Sequence, residues 1–287
     1  MSAREARLAR AKKRVLLSCG ALALILPAAV AVLATTGVPD LTGAGGFPVV
    51  AYLAFAATTL AVPTIVAILV ATVLTRTRFS RRTLLALGDM LPATICVIPA
   101  IGLLDMWVLE GQLGRVYFHE GSPAWVMALE ALAYLLVSDF FFYWSHRALH
   151  TRALYKVHLC HHLQTAPTEP AAALALSPLD WHVEGILLFF APVLVVEIQV
   201  GVWLGCGAFI LLVALYNHSA RMSWLRIPLI NGALEHQYHH HRGRQNTNYS
   251  LIFTVWDRLF GTYAVPTLGE PLPWAKRAAK GSSTAAP

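Results

Sequence analysis

Apolar residues along this chain run in blocks about as long as a bilayer is thick, with polar residues gathered between them. The runs 15–36, 49–75, 84–109 and 125–144 each approach or exceed the roughly 20 residues of a spanning helix. A fifth run, 183–216, is longer, and Pro192, Glu197, Gln199 and Gly201 interrupt it. That interruption predicts two short helices joined by a tight turn rather than one crossing. The expected fold is an all-α integral membrane protein with about four spanning helices plus a helical hairpin. Its expected parts are a basic N-terminus over 1–14, transmembrane helices over 15–122, a polar-capped domain over 123–266 and a disordered tail over 267–287 rich in Pro, Ala and Ser.

Composition agrees with the pattern. The chain is 57% hydrophobic and only 13% charged, with a mean hydropathy of +0.58. Soluble domains carry about 25% charged residues. A net charge of +7 would suit nucleic acid, but in so apolar a chain it is read as membrane topology, with no nucleic-acid partner. Arg4, Arg7, Arg10, Lys12, Lys13 and Arg14 precede the first run, and Arg76, Arg78, Arg81 and Arg82 separate the second from the third. The intervening loops 37–48 and 110–123 hold one basic residue, Arg115. The positive-inside rule places the N-terminus in the cytoplasm. An uncleaved first helix is expected rather than a signal peptide. A returning hairpin over 183–216 puts both termini and the regions after 145 and after 217 on that same face. The expected setting is a bacterial inner membrane.

The polar residues of that face are mostly histidines. HRALHTRALYKVHLCHH (146–162) and EHQYHHH (235–241) hold nine of the twelve histidines. His146 and His150 are spaced i, i+4; His158, His161 and His162 are spaced i, i+3, i+4, and His236, His239 and His240 repeat that spacing. Residues three and four apart share a helix face, so each group can aim several imidazoles at one point. Neutral imidazole is a common metal ligand. Eight side chains exceed the needs of one ion and suit two. His218, in YNHSA, is a ninth candidate. Imidazole suits Zn, Cu, Fe and Ni. No HExxH is present, the four cysteines show no CxxC spacing, and there is no haem-attachment CxxCH and no dinucleotide-binding glycine fingerprint. A redox pair, most simply two Fe ions, fits this count, although the count alone does not exclude zinc.

The order HxxxH, HxxHH, HxxHH resembles that of the fatty acid hydroxylase and sterol desaturase superfamily of membrane enzymes. DFFFYWSHRALH (139–150), YNHSA and NYSLIFTVWDRLFGTY (248–263) resemble its conserved segments. The resemblance implies a catalytic domain over 123–266 with a cytoplasmic histidine-rich cap. It implies a di-iron enzyme that uses O2 to hydroxylate or desaturate a lipid, fatty-acyl or sterol-like substrate. Zinc is expected to replace iron in purified protein. With no electron-transfer motif in the chain, the implied donor is an external reductase, ferredoxin or cytochrome. Two positions depart from the pattern. Many members begin the last box with His-His, where this chain has Glu235. Many have His before Pro-Leu-Glu, where SPLD (177–180) has Ser177, which argues against a metal-supporting role for that segment.

Asp139 and Glu235 are the candidate catalytic carboxylates. Asp139 lies two helical turns before His146 on the same face, placed to accept the second N–H of a ligand histidine or to pair with Arg147. Asp257 is expected to brace the cap. Glu130, inside an apolar run, is placed to line a tunnel or to pack through a hydrogen bond. Tyr143, Trp144 and Trp181 are expected in an interfacial aromatic belt. A lipid-cleaving or rearranging di-metal enzyme on the same scaffold is the nearest alternative. A metal transporter would put its ligands near the bilayer midplane, and a haem protein would need only two axial histidines.

Overall fold

The computed structural model describes residues 114–118, 122–241 and 246–266, together with Val73, Leu104 and Val108. Apart from those three positions, the basic N-terminus, the first three apolar runs with Asp89, and the tail lie outside the described residues, as does His119.

Strand β1 (Val116–Tyr117) leads into α1 (Ala124–Leu149), whose 26 residues span about 39 Å at 1.5 Å per residue. α1 covers the whole 125–144 run and continues through His146. A turn held by the Thr151 hydroxyl on the Ala148 carbonyl leads into α2 (Tyr155–His162). Next comes a helical limb in three segments: α3 (Pro178–Asp180), a π-turn over Trp181–Gly185, and α4 (Ile186–Phe189). Ser177 starts it by capping the Asp180 N–H at 3.2 Å, with Pro178 at the first helical position where its missing N–H costs nothing. After a 3₁₀ turn (Ala191–Leu194) the chain reverses at β2 (Ile198–Gln199), and α5 (Val200–Asn217) returns. α6 (Ala233–His239) and α7 (Val255–Leu259) complete the described chain.

The 183–216 run therefore goes out and comes back. Its outgoing limb begins at Asp180, against His158, and its returning helix ends at Asn217, beside His218. At the reversal β1 and β2 pair in parallel, Val116 with Ile198 and Tyr117 with Gln199. There Glu130 accepts the Gln199 N–H at 3.1 Å and the Tyr117 hydroxyl, so it closes the far end of the bundle rather than lining a tunnel. The Gln199 side chain caps α5 through the Val202 N–H.

α1 and α5 are long and apolar enough to cross a membrane. Their outward faces carry large exposed hydrophobic side chains, among them Trp125, Leu129, Leu204 and Phe209. Contiguous apolar surface of this kind marks contact with lipid or protein. Their inward faces pack Tyr134, Phe142, Ile210 and Leu215 against Leu188 and Val193 of the outgoing limb.

The aromatic belt expectation is corrected in part. Trp144 is exposed, but Tyr143 is fully buried between Phe260 and Tyr249, and Trp181 is buried against the core.

Candidate metal centre

The eight histidines singled out by spacing and the ninth candidate, His218, meet at one end of the bundle, in two adjoining constellations. The first contains His146, His150, His158, His162 and His239; the second contains His161, His218, His236 and His240. Within each, the ligand atoms lie within 4.8 Å of one another. The histidine triplets do not each serve one point; they are divided. On an α-helix, residues four apart differ by about 40° and residues three apart by about 60° the other way. In α2 the i, i+4 pair His158 and His162 faces the first constellation and His161 the second. At the end of α6 the pair His236 and His240 faces the second and His239 the first. His146 and His150 of α1 complete one set, and His218, at the end of α5, completes the other. Where the sets adjoin, the His162 and His240 rings stack with centroids 4.7 Å apart.

The inward atoms are mutually close. His150 Nε2 lies 3.3 Å from His146 Nε2 and 2.9 Å from His162 Nε2, which lies 3.1 Å from His239 Nε2. In the second set His218 Nε2 is 3.2 Å from His161 Nε2 and 2.9 Å from His236 Nε2, which is 3.1 Å from His240 Nε2. The outward nitrogens decide what these contacts mean. Nδ1 of His146, His218, His239 and His240 faces the carbonyls of Tyr249, Ala214, Thr247 and Gln164 at 2.6–2.9 Å. A carbonyl only accepts, so these Nδ1 atoms carry the hydrogen and each Nε2 presents a lone pair. Among the described residues no carbonyl fixes His150, His161, His162 or His236; when these too carry their hydrogen on Nδ1, the gathered Nε2 lone pairs repel unless a cation lies among them. Two nitrogens at right angles on a metal with bonds of about 2.1 Å stand about 3 Å apart, so the donor set fits two metal ions.

Eight of the nine imidazoles are at most 4% exposed; His150 is partly exposed. Burial pushes the imidazoles of His158, His161, His162, His236, His239 and His240 well below the usual histidine range, and that of His218 down to about 4. Neighbouring imidazoles push in the same direction. The groups are held in the neutral form that binds metal.

The carboxylates are placed differently from expectation. Asp139 touches no histidine and does not pair with Arg147, which donates instead to the Tyr143 hydroxyl. Its two oxygens accept the backbone N–H groups of Leu251, Ile252 and Phe253 at 2.8–2.9 Å. The reason is local: 248–254 is buried and irregular, so its amides need side-chain partners. Asn217 donates to the Leu251 carbonyl, Asn231 donates to the Ser250 carbonyl, and Asp257 accepts the Tyr249 and Ser250 N–H groups at 2.8 Å. Asp139 acts on the centre indirectly, because this segment carries the Tyr249 carbonyl that fixes His146. Glu235 likewise hydrogen-bonds outside the histidine cluster. It accepts the Gly232 N–H at the start of α6 and the Tyr263 hydroxyl at 3.2 Å.

The carboxylate that does orient a ligand is Asp180, which accepts His158 Nδ1–H at 2.9 Å. The SPLD segment, expected to play no part, supplies it. Ser177 stands where a histidine was looked for and works as the cap of α3. Glu184, one turn further on, was also missed, although an acid four residues after another inside an apolar run was a signal for it. Both are buried.

On its bundle side the centre opens into a pocket between α1, the outgoing limb and α5. Phe142, Leu174, Leu188 and Ile210 line it, and His146, His158, His161, His218 and His236 form its floor. Glu184 is its only acidic lining residue among the described residues.

Comparison with known proteins converges on the same region. Residues 131–262 match the family model described as fatty acid hydroxylase. The chain is 32% identical over 173 residues to the Delta(7)-sterol 5(6)-desaturase ERG3A of Gibberella zeae, covering 59% of this chain and 48% of that protein. It is 31% identical over 176 residues to lathosterol oxidase of Rattus norvegicus, covering 59% and 57%. It is 37% identical over 159 residues to the very-long-chain aldehyde decarbonylase GL1-10 of Oryza sativa subsp. japonica, covering 51% of each. The chain thus spans about half the length of these relatives. No solved structure matches it.

Proposed function

We propose, from the match of residues 131–262 to the fatty acid hydroxylase family model and the likeness to sterol desaturases, that the chain is a member of the fatty acid hydroxylase and sterol desaturase superfamily and an O2-dependent di-iron oxidoreductase acting on a C–H bond of a membrane lipid. The observation that carries the reading is the pair of lone-pair-lined constellations opening into an apolar pocket. His146, His150, His158, His162 and His239 would hold one ion and His161, His218, His236 and His240 the other. When bound, the metals supply the redox chemistry with O2 that an unactivated C–H bond requires.

The chain's own residues do the rest. The carbonyls of Tyr249, Ala214, Thr247 and Gln164 keep four imidazoles in the ligating tautomer, and Asp180 does so for His158. Phe142, Leu174, Leu188 and Ile210 hold an alkyl chain against the histidine floor and keep water out. The helices that build the pocket are those with lipid-facing surfaces, so substrate reaches it from the bilayer without crossing water. We place the centre and both termini on the cytoplasmic face. Hydroxylation balances as RH + O2 + 2 e⁻ + 2 H⁺ → ROH + H2O, with the electrons supplied by a separate reductase, ferredoxin or cytochrome.

The test is to reconstitute purified protein with Fe(II), a reductase system and 18O2. A labelled hydroxyl identifies hydroxylation; an unlabelled alkene with labelled water identifies desaturation. Zinc-loaded protein should be inactive. An undiminished rate without O2 would overturn the proposal. The likeness to an aldehyde decarbonylase favours one second reading, cleavage of a lipid aldehyde, and a product one carbon shorter would identify it.

A further inference from the structure

Apart from the histidines, the lining of the apolar pocket carries two buried polar atoms that no hydrogen bond accounts for among the described residues. Trp181 and Glu184 both line it, and Trp181 Nε1 and Glu184 Oε1 are buried without a partner. Glu184 is 5% exposed. It is not needed to orient His158, whose Nδ1 hydrogen goes to Asp180 at 2.9 Å while Glu184 Oε1 lies 3.9 Å away. The two residues occupy one π-turn, three positions apart, and both line the pocket whose lining includes His158. Gly185 keeps the indole in place: a Cβ there would stand 3.1 Å from Trp181 Cε3.

Buried polar groups in native proteins nearly always have partners, and the exceptions call for a reason. One of these atoms donates and the other accepts. The smallest group that satisfies both is a hydroxyl, which accepts and donates at once. We propose that Trp181 and Glu184 form a polar subsite for a hydroxyl group of the lipid, so that the chain takes hydroxylated lipids and holds the hydroxyl close to the carbon presented to the histidines. The indole N–H donates to the hydroxyl oxygen, and the hydroxyl hydrogen points to the carboxyl of Glu184. Neither residue belongs to the two histidine constellations. The inference rests on the lipid-oxidising reading above and narrows its substrate.

Binding to the full-length, metal-loaded protein in nanodiscs decides it without turnover. The probes are 1-octadecanol, octadecyl methyl ether and octadecane, each competing against a pyrene-labelled alkane. The alcohol offers a donor and an acceptor, the ether an acceptor only, and the alkane neither. The alcohol should bind about tenfold more tightly than the alkane, with the ether between them. Glu184→Leu should bring the alcohol to the level of the ether, and Trp181→Phe should bring the ether to that of the alkane, both with metal content unchanged. Equal binding of all three probes by the unmutated protein would overturn the subsite and leave the lipid reading standing. Failure to bind any of them would overturn both. An ether bound as tightly as the alcohol would remove Glu184 from the assignment.

Discussion

The five-histidine and four-histidine constellations share α2 and α6, yet they are held by different means. In the first, His158 leans on the carboxylate of Asp180, His146 and His239 lean on carbonyls, and His150 is partly exposed. In the second all four members are buried; His218 and His240 lean on carbonyls, while the outer nitrogens of His161 and His236 have no partner. An anion behind a ligand makes it more basic and offsets part of the charge of a bound dication. The second set offers its ion only neutral donors and exclusion of water. Charge and access are thus divided unequally between two sites of the same chemistry. The first should hold its metal more firmly, and the second should depend more on an intact surrounding.

The strongest way to break this comparison is to remove one ligand from each set. His162→Ala and His236→Ala should each reduce bound metal from two ions to one, measured by elemental analysis, and each should lower turnover at least about a hundredfold. Full activity in His236→Ala would mean that the first site works alone.

Acid probes what the two sets share. The folded imidazoles titrate below the ordinary value of 6.5, near 4 for His218. Between those values the unfolded chain binds more protons than the folded one. Stability of the metal-free protein should therefore be complete above about pH 6.5 and fall as the pH drops below it, by about 1.4 kcal/mol per pH unit for each such histidine. Melting temperatures between pH 7.5 and 5 measure this; a flat profile would contradict the burial.

Asp180→Asn sharpens the comparison by making the sites more alike. It should weaken metal binding at the first site about ten- to a hundredfold, read by competition with a chelator, and leave the second unchanged. Equal weakening of both would show that Asp180 acts on the fold rather than on His158.

The smallest effect belongs at the far end of the bundle. Tyr117→Phe removes one hydrogen bond to Glu130 and should cost about 1 kcal/mol in unfolding without changing metal content. Loss of metal in this variant would show that the reversal and the centre are coupled along the helices.

The histidines were legible in the sequence because ligand geometry is local. His158 and His162 share a helix face whatever surrounds them, so spacing found eight of the nine members, and His218 stood out only by its place after the hairpin. The reversal at 192–201 was legible for the same reason, since Pro192, Gln199 and Gly201 act through their own backbone. What escaped was the pairing between distant segments. Asp139 was assigned to a histidine by helical register, but its partners are the amides of 251–253, over a hundred positions away in an irregular segment with no periodicity to read. Asp180 was set aside because Ser177 broke a familiar pattern, although the residue that matters is the acid and the serine serves the helix start. The division of each histidine triplet between two ions follows from the 40° and 60° offsets, yet only the approach of α1, α2, α5 and α6 decides which metal each imidazole faces.

The clamp of Asp139 on the 251–253 amides has a consequence in time as well as in space. Every one of the nine histidines precedes residue 241, whereas the segment that fixes His146 and is itself gripped by Asp139 and Asp257 begins at 248. At the moment His240 is added the chain has made all nine histidines, the carboxylate behind His158 and the carbonyls behind His218 and His240, but not the carbonyls behind His146 and His239. During that interval the carboxylate of α1 waits for peptide N–H groups that do not yet exist. The centre is therefore complete only once these last braces have been made.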